Sequence, residues 1–125
     1  MNVPLLDLKT QYHQIKNEVD AAIQSVLESG QFILGPQVHQ FEQNAASYLG
    51  VSYAMGVGNG TDALIIALRA CGIGPGDEVI TSPFTFFASA ECASVLGAKP
   101  VFVDINPRTF NIDASKIEQA ITPKT

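Results

Sequence analysis

The chain has 125 residues, of which 46% are hydrophobic, and a formal net charge of −5 from 12 acidic and 7 basic side chains. This length and hydrophobic content suit one globular domain with a sizeable core and exclude an intrinsically disordered chain. The acidic balance argues against nucleic acid as the main partner, because neutralising phosphates requires clustered Lys and Arg. No apolar run is long enough to span a bilayer, so no membrane partner is expected.

The amino terminus and the cysteines favour a cytoplasmic protein. Residues 1–4 lack the basic and apolar regions of a signal peptide. Cys71 and Cys92 occur in apolar helical contexts and are predicted to be buried free thiols. His13 and His39 are isolated, so no metal site is predicted.

The first 50 residues predict two amphipathic helices and no strand. Apolar residues recur at helical spacing over 9–28, with Asp7 or Thr10 as a possible cap and Gly30 just past the end. After a turn at Gly35-Pro36, a second helix is predicted from about residue 38 to its stop at Gly50.

From Tyr53 onward, strands and helices alternate. Strands are predicted at 53–57, 78–81 and 100–105, and helices at 61–71, at 86–96 and from Asp113 or Ser115 to Ala120. This β-α-β-α-β-α order predicts an α/β fold with parallel strands and right-handed crossovers. A three-stranded parallel sheet would leave two edges unpaired, so we expect the chain to be the N-terminal part of something longer.

A glycine-rich stretch, Gly56-Val57-Gly58-Asn59-Gly60-Thr61-Asp62, joins the first predicted strand to its helix. The first N–H groups of a helix have no internal partner, and the helix dipole adds partial positive charge there. Glycine allows close approach of an oxyanion and positive φ angles. The stretch therefore predicts an anion site, and the question is which phosphate, if any, it holds.

Four interpretations of this loop compete. A Walker-type loop would need Gly-Lys-Ser/Thr, and the loop has no lysine. A dinucleotide fingerprint is disfavoured because Thr61 stands where a glycine is needed and no acid follows the second strand. A purely structural turn capped by Thr61 remains open. The fourth interpretation is pyridoxal phosphate, with an aromatic side chain of Thr85-Phe86-Phe87, after the second strand, as a platform for the planar ring. At least two of Phe84, Phe86 and Phe87 are expected to be core residues.

Several motifs, in a consistent order and spacing, carry a resemblance to a known family. They are Leu6-Asp7-Leu8 with Gln11-Tyr12, Glu28 to Pro36 with Phe41-Glu42, Gly60 to Leu64, Gly76 to Thr81, Phe84-Thr85-Phe86, Leu96-Gly97-Ala98 with Pro100 to Ile105, and Ala120 to Thr125. The chain resembles the DegT/DnrJ/EryC1/StrS sugar aminotransferases, which use pyridoxal phosphate. The resemblance implies the N-terminal part of the large domain of fold type I, the aspartate-aminotransferase-like fold.

The resemblance also implies roles for particular residues. The cofactor phosphate would be bound at Gly60, Thr61 and Asp62, largely through the amides of Thr61 and Asp62, and Phe86 would stack on the pyridine ring. The substrate wall, near a sugar-nucleotide site built at a dimer interface, would be formed by Gln31, Phe32, Ile33, Leu34 and Gly35. Residues 1–50 would form the helices and this wall, and 51–125 the first part of the cofactor-binding domain. The opening of the chain looks most like members that aminate 3-keto sugars on a dTDP carrier.

The resemblance places the chemistry outside this sequence. Pyridoxal chemistry requires a Schiff-base lysine and a carboxylate on the pyridine nitrogen, and in the family both would lie beyond Thr125. We therefore expect no catalytic residue in this chain and no activity from it alone. The full-length homodimer would move nitrogen from an amino-acid donor, often glutamate, to a nucleotide-linked keto sugar. A dehydratase of the same family and a non-catalytic, truncated or regulatory member remain alternatives.

Overall fold

The computed structural model describes residues 4–125. The chain divides into two compact units, Met1–Gly56 and Val57–Thr125. Among the described residues, no helix combines the length and apolar character needed to cross a membrane.

The first unit contains the two predicted helices. Helix α1 spans Leu8–Ser29, and helix α2 spans Pro36–Leu49. Asp7 caps α1 by accepting a hydrogen bond from the Thr10 N–H at 3.0 Å, and Gly30 ends it with a left-handed φ of 67°. Gly50 ends α2 in the same way. These bounds confirm the two predicted helices and their stops at Gly30 and Gly50. Both stops were predictable because capping residues act within a few positions of the helix end.

The strand predicted at 53–57 is absent, so this prediction was wrong. A strand needs a partner for its N–H and C=O groups, and residues 53–57 pair with no other strand in the described part of the chain. The Gly56 N–H instead donates to Glu42 Oε1 on α2 at 2.8 Å.

The second unit alternates helices and strands. It contains α3 (Gly60–Ala70), β1 (Glu78–Thr81), α4 (Ala88–Val95), β2 (Lys99–Phe102) and α5 (Ala114–Ala120). Strands β1 and β2 pair in parallel, with Glu78 opposite Lys99 and Thr81 opposite Phe102. Helix α4 connects them and packs against both strands and α3. The predicted α/β class is confirmed, with two paired strands among the described residues rather than three.

The third predicted strand is shorter than expected. Strand β2 ends at Phe102, and the Val103 N–H adds one more bond, to the Thr81 carbonyl at 2.9 Å. Ile105 forms only an isolated antiparallel bridge with Ile112. The chain therefore turns back where the sequence pattern predicted a continuing strand.

The buried core of the second unit is small. It comprises Ala88, Cys92, Ala93, Ala98 and Val103. Small side chains on α4 allow this helix to lie close to the sheet. Cys92 is buried as predicted, whereas Cys71 is exposed. That part of the prediction was wrong because Cys71 ends α3 at its junction with a turn.

Candidate functional site

The carboxyl ends of β1 and β2 meet at one edge of the sheet. Because the two strands are parallel and in register, the segments that follow them, Ser82–Phe87 and Val103–Asp113, leave the sheet on the same side. In open α/β sheets, ligands bind at this edge. These two segments therefore form one candidate binding edge of the second unit, and the glycine-rich start of α3 is a second candidate element.

Helix α3 is capped by Asn59. Its Oδ1 accepts a hydrogen bond from the Asp62 N–H at 2.9 Å, and its Nδ2 donates to Asp62 Oδ2 at 3.0 Å. Thr61 is the second helical residue, so the prediction that Thr61 is the cap was wrong. Asn59 was not predicted as the cap, although Asn is among the preferred N-cap residues.

Two N–H groups remain available in the first turn of α3. The Ala63 N–H donates to the Asn59 carbonyl at 3.1 Å, and the Asp62 N–H is used by the cap. Within residues 4–125, the N–H groups of Gly60 and Thr61 have no hydrogen-bond acceptor. A Cβ built on Gly60 would have no heavy atom within 4 Å. Two free donors beside open space at a helix start suit a phosphate group.

Gly58 is required by a close approach rather than by its backbone conformation. A Cβ built on Gly58 would lie 2.7 Å from Asp62 Oδ2. Positive φ angles occur at other glycines, but not at Gly56, Gly58 or Gly60. The absence of a side chain at Gly58 leaves room for the Asp62 carboxylate to remain against Asn59.

The segment after β1 presents aromatic rings. Phe84, Phe86 and Phe87 are 63%, 77% and 72% exposed, so the prediction that at least two are core residues was wrong. The segment is held by its own polar groups: the Phe84 N–H donates to Ser82 Oγ at 3.1 Å, and the Ser89 N–H donates to the Phe86 carbonyl at 3.0 Å. An open cavity of about 270 Å³ lies along the segment, with Phe86 in its lining. An accessible aromatic face is what a planar ring needs for stacking.

The predicted substrate-wall segment, Gln31 to Gly35, lies between α1 and α2 of the first unit. Phe32, Ile33 and Leu34 are all exposed, and Leu34 has a left-handed φ of 47°. A Cβ built on Gly35 would lie 2.5 Å from the Gln31 carbonyl oxygen, so the turn closes tightly on itself. The segment thus presents apolar side chains on a constrained turn.

No lysine lies in Ser82–Phe87 or Val103–Asp113, the segments that leave the carboxyl ends of β1 and β2. Lys99 begins β2 and lies 3.1 Å from Glu78 Oε1. Lys116 lies 3.4 Å from Asp113 Oδ2. The Lys124 carbonyl accepts a hydrogen bond from the Glu78 N–H at 2.8 Å, at the opposite end of β1. Among the described residues, no group of three or more His, Cys, Asp or Glu is arranged to hold a metal ion.

Residues 13–125 match the sequence profile of the DegT/DnrJ/EryC1/StrS aminotransferase family. The chain belongs to this family, whose aminotransferases depend on pyridoxal phosphate. The family assignment and the fold expected from the resemblance are both confirmed.

The relatives place the chain in the first third of longer proteins. It is 53% identical over 123 residues to a UDP-2-acetamido-2-deoxy-3-oxo-D-glucuronate aminotransferase of Pseudomonas aeruginosa, covering 98% of this chain and 34% of that protein. It is 54% identical over 125 residues to a pleiotropic regulatory protein of Geobacillus stearothermophilus, covering 100% and 34%. The chain spans about a third of the length of the curated relatives it matches.

The solved structures that this chain resembles are also about three times its length. DesV from S. venezuelae superposes with a TM-score of 0.93 at 47% identity, covering 98% of this chain and 33% of that one. NtdA from Bacillus subtilis, solved with bound PMP, superposes with a TM-score of 0.85 at 40% identity, covering 99% and 29%. The fold of this chain is therefore the N-terminal part of a fold that carries a pyridoxal-type cofactor.

Proposed function

We propose that this chain is the N-terminal part of a pyridoxal-phosphate-dependent aminotransferase that transfers an amino group to a nucleotide-linked keto sugar. The amino donor is an amino acid such as glutamate, and the product enters amino-sugar, polysaccharide or natural-product biosynthesis. The observation that carries the proposal is the pair of free N–H donors at Gly60 and Thr61, in a chain of this family. The full-length enzyme is a cytoplasmic homodimer.

The start of α3 binds the cofactor phosphate. The N–H groups of Gly60 and Thr61 donate to its oxygens, and the dipole of α3 favours the negative charge. The Asp62 N–H donates to Asn59 Oδ1 at 2.9 Å. It can therefore donate to the phosphate only if this bond is shared or broken. The Asn59 amide also holds the Asp62 carboxylate at 3.0 Å, which limits its approach to the phosphate.

Phe86 supplies the ring platform. Its exposed side chain follows β1 at the ligand edge of the sheet and stacks on the pyridine ring. When bound, pyridoxal phosphate supplies the electron sink for amino transfer. The residues of this chain bind and orient it.

The first unit supplies part of the wall for the sugar nucleotide. Residues 31–35 present three apolar side chains on a constrained turn, and an immobile turn loses little entropy when a ligand binds. In this proposal, residues 1–50 form the helices and the substrate wall, and residues 51–125 begin the cofactor-binding domain.

The isolated 125-residue chain is not catalytic. Amino transfer requires a lysine that forms a Schiff base. In the second unit, Lys99 and Lys116 are paired with carboxylates, and the Lys124 backbone is bonded near the start of β1. The Schiff-base lysine and the carboxylate for the pyridine nitrogen are supplied by residues outside this sequence.

A regulatory role is the second candidate. It is favoured by one observation, the 54% identity of the whole chain to a protein described as a pleiotropic regulator. A regulatory member that binds the cofactor without amino transfer would keep the donors at Gly60 and Thr61.

The test is a titration of the full-length protein with pyridoxal phosphate, followed by its absorbance, with NAD as the control ligand. We expect saturable binding of pyridoxal phosphate only, and conversion of the bound cofactor to its amine form when glutamate is added. Binding of NAD alone would contradict the proposal. Cofactor binding with no amine formation from any amino acid would favour the regulatory candidate.

A further inference from the structure

The loop that follows β2 holds a phenylalanine in an unusual backbone conformation. Phe110 has a φ of 59°, in the left-handed region where a bulky residue is an outlier. Its N–H donates to the Asn106 carbonyl at 2.9 Å, and the Asn106 N–H donates to the Asn111 carbonyl at 2.9 Å. The loop is therefore closed on itself, and its hydrogen bonds hold Phe110 in this conformation.

The strained conformation brings the Phe110 ring to the segment after β1. The ring centroids of Phe110 and Phe84 lie 5.9 Å apart with an interplanar angle of 32°, within the range of favourable aromatic pairs. The two rings are 60% and 63% exposed, so neither is a core residue. The pair links the loops that leave the carboxyl ends of the two neighbouring strands.

Phe84 is two residues from Phe86 on a short segment. One end of this segment is fixed by β1 and by the bond from the Phe84 N–H to Ser82 Oγ. The other end is fixed where the Phe86 carbonyl accepts the Ser89 N–H as α4 begins. Between these points, the only aromatic contact that Phe84 makes among the described residues is with Phe110. Movement of Phe84 would therefore change the direction in which Phe86 presents its ring.

We propose that Phe110 is a positioning residue for the cofactor ring. Its side chain holds Phe84 and, through the short segment, fixes the face that Phe86 offers to the pyridine ring. The inference rests on the proposed function, because it assumes that Phe86 is the platform. Phe110 itself does not touch the cofactor. Strain at residues near ligand sites is tolerated when the surrounding structure holds them in place.

The test uses the full-length protein with Phe110→Asn, Phe110→Tyr, Phe84→Ala and the Phe84→Ala/Phe110→Asn double variant. Asn lacks the ring but tolerates the left-handed conformation, so relief of backbone strain offsets the lost ring pair, and the melting temperature of the cofactor-free protein is expected to change little. The Kd for pyridoxal phosphate should rise about threefold to tenfold in Phe110→Asn, the value of one aromatic pair. The circular dichroism of the cofactor absorption band should weaken in parallel, and Phe110→Tyr should restore both.

The double variant separates positioning from direct contact. If Phe110 acts through Phe84, Phe110→Asn adds no further loss in the Phe84→Ala background. Additive losses, or a lowered melting temperature with unchanged cofactor dichroism, would overturn the inference. If Phe110→Asn fails to fold, Phe84→Ala breaks the same contact from its other side and is expected to give the same loss of dichroism.

Measurements on the wild type and on Phe86→Ala distinguish failure of the proposed function from failure of the inference about Phe110. If the wild-type protein does not bind pyridoxal phosphate, the proposed function fails and the inference fails with it. If the wild type binds, Phe86→Ala weakens binding and Phe110→Asn does not, the inference alone is overturned.

Discussion

Thr61 gives the sharpest single-residue prediction. Its N–H has no acceptor in the described part of the chain, and it is the second residue of α3, where proline is tolerated. Thr61→Pro should therefore leave the melting temperature of the cofactor-free protein unchanged and weaken pyridoxal phosphate binding about tenfold or more, because it removes one donor to a charged group. Thr61→Ala retains the N–H and serves as the control in the same absorbance titration. Equal affinity in Thr61→Pro and Thr61→Ala would exclude the amide as a phosphate donor.

Phe86 and Phe87 are adjacent and similarly exposed, yet they should respond differently to truncation. Phe87 precedes the first residue of α4, and its carbonyl accepts the Glu91 N–H at 3.1 Å. Phe86→Ala should increase the Kd for pyridoxal phosphate with little effect on the unfolding free energy, since the side chain is 77% exposed and its proposed partner is the cofactor ring. Phe87→Ala should have the smaller effect on Kd. A clear loss of unfolding free energy in Phe86→Ala, measured by denaturant unfolding, would show that Phe86 is a packing residue instead.

The contacts of Glu78 should make the unfolding free energy depend on pH. The Thr122 hydroxyl, at 2.6 Å from Oε2, and the Lys99 ammonium hold the pKa of Glu78 below its ordinary value of 4.5. Because the pKa in the folded state is lowered, the stabilisation is complete above pH 4.5 and is lost as pH falls through the folded pKa. Glu78→Gln should therefore flatten the fall in unfolding free energy below pH 4.5, and Thr122→Val should do the same. Unfolding curves that keep the wild-type acid dependence in both variants would contradict this account.

At the scale of single elements, substitutions at Asn59, the N-cap of α3, should affect folding stability and cofactor affinity differently. Asn59→Ala removes the bonds to the Asp62 N–H and carboxylate and should lower the unfolding free energy by about 1 kcal/mol. It also frees the Asp62 N–H as a further donor, which offsets the release of the Asp62 carboxylate, so pyridoxal phosphate affinity should be retained. Asn59→Asp keeps the cap acceptor but replaces the donor to Asp62 Oδ2 with a second carboxylate, so it should lower the unfolding free energy at neutral pH and also weaken the affinity. Unchanged unfolding free energy in Asn59→Ala would show that the cap contributes nothing.

The helices were predictable from sequence because their signals are local. Asp7, Gly30 and Gly50 end their helices through contacts within a few residues, and the sequence showed each of them. The strand at 53–57 was not predictable from its own residues, since a strand exists only through pairing with residues distant in sequence. The same reason explains why β2 ends at Phe102 although apolar residues continue to Ile105.

The candidate site was predictable in part. Glycine and helix periodicity predicted unpaired N–H groups at the start of α3, and two such groups are present there; their role as phosphate donors stays a prediction. The hydrogen bond from the Asp62 N–H to Asn59 was not predicted. Asn59 and Thr61 both lie near the start of α3 and both side chains can cap a helix, so the sequence does not decide between them. The contact between Phe84 and Phe110 was beyond sequence reasoning, since it depends on a left-handed residue in a loop distant along the chain.

At the scale of the whole molecule, both units of the described chain expose large apolar side chains, among them Tyr48 and Phe86. The chain spans about a third of the length of its relatives, and its second unit carries both the donors of α3 and the aromatic segment after β1. The account therefore assigns binding and orientation of the cofactor to these residues and assigns the amino-transfer step to groups outside this sequence.

The most direct measurement is a crystal structure of the full-length protein grown with pyridoxal phosphate. The account predicts phosphate oxygens within hydrogen-bond distance of the Gly60 and Thr61 N–H groups, and the pyridine ring stacked on Phe86. A phosphate bound away from the start of α3, or a ring with no contact to Phe86, would contradict it.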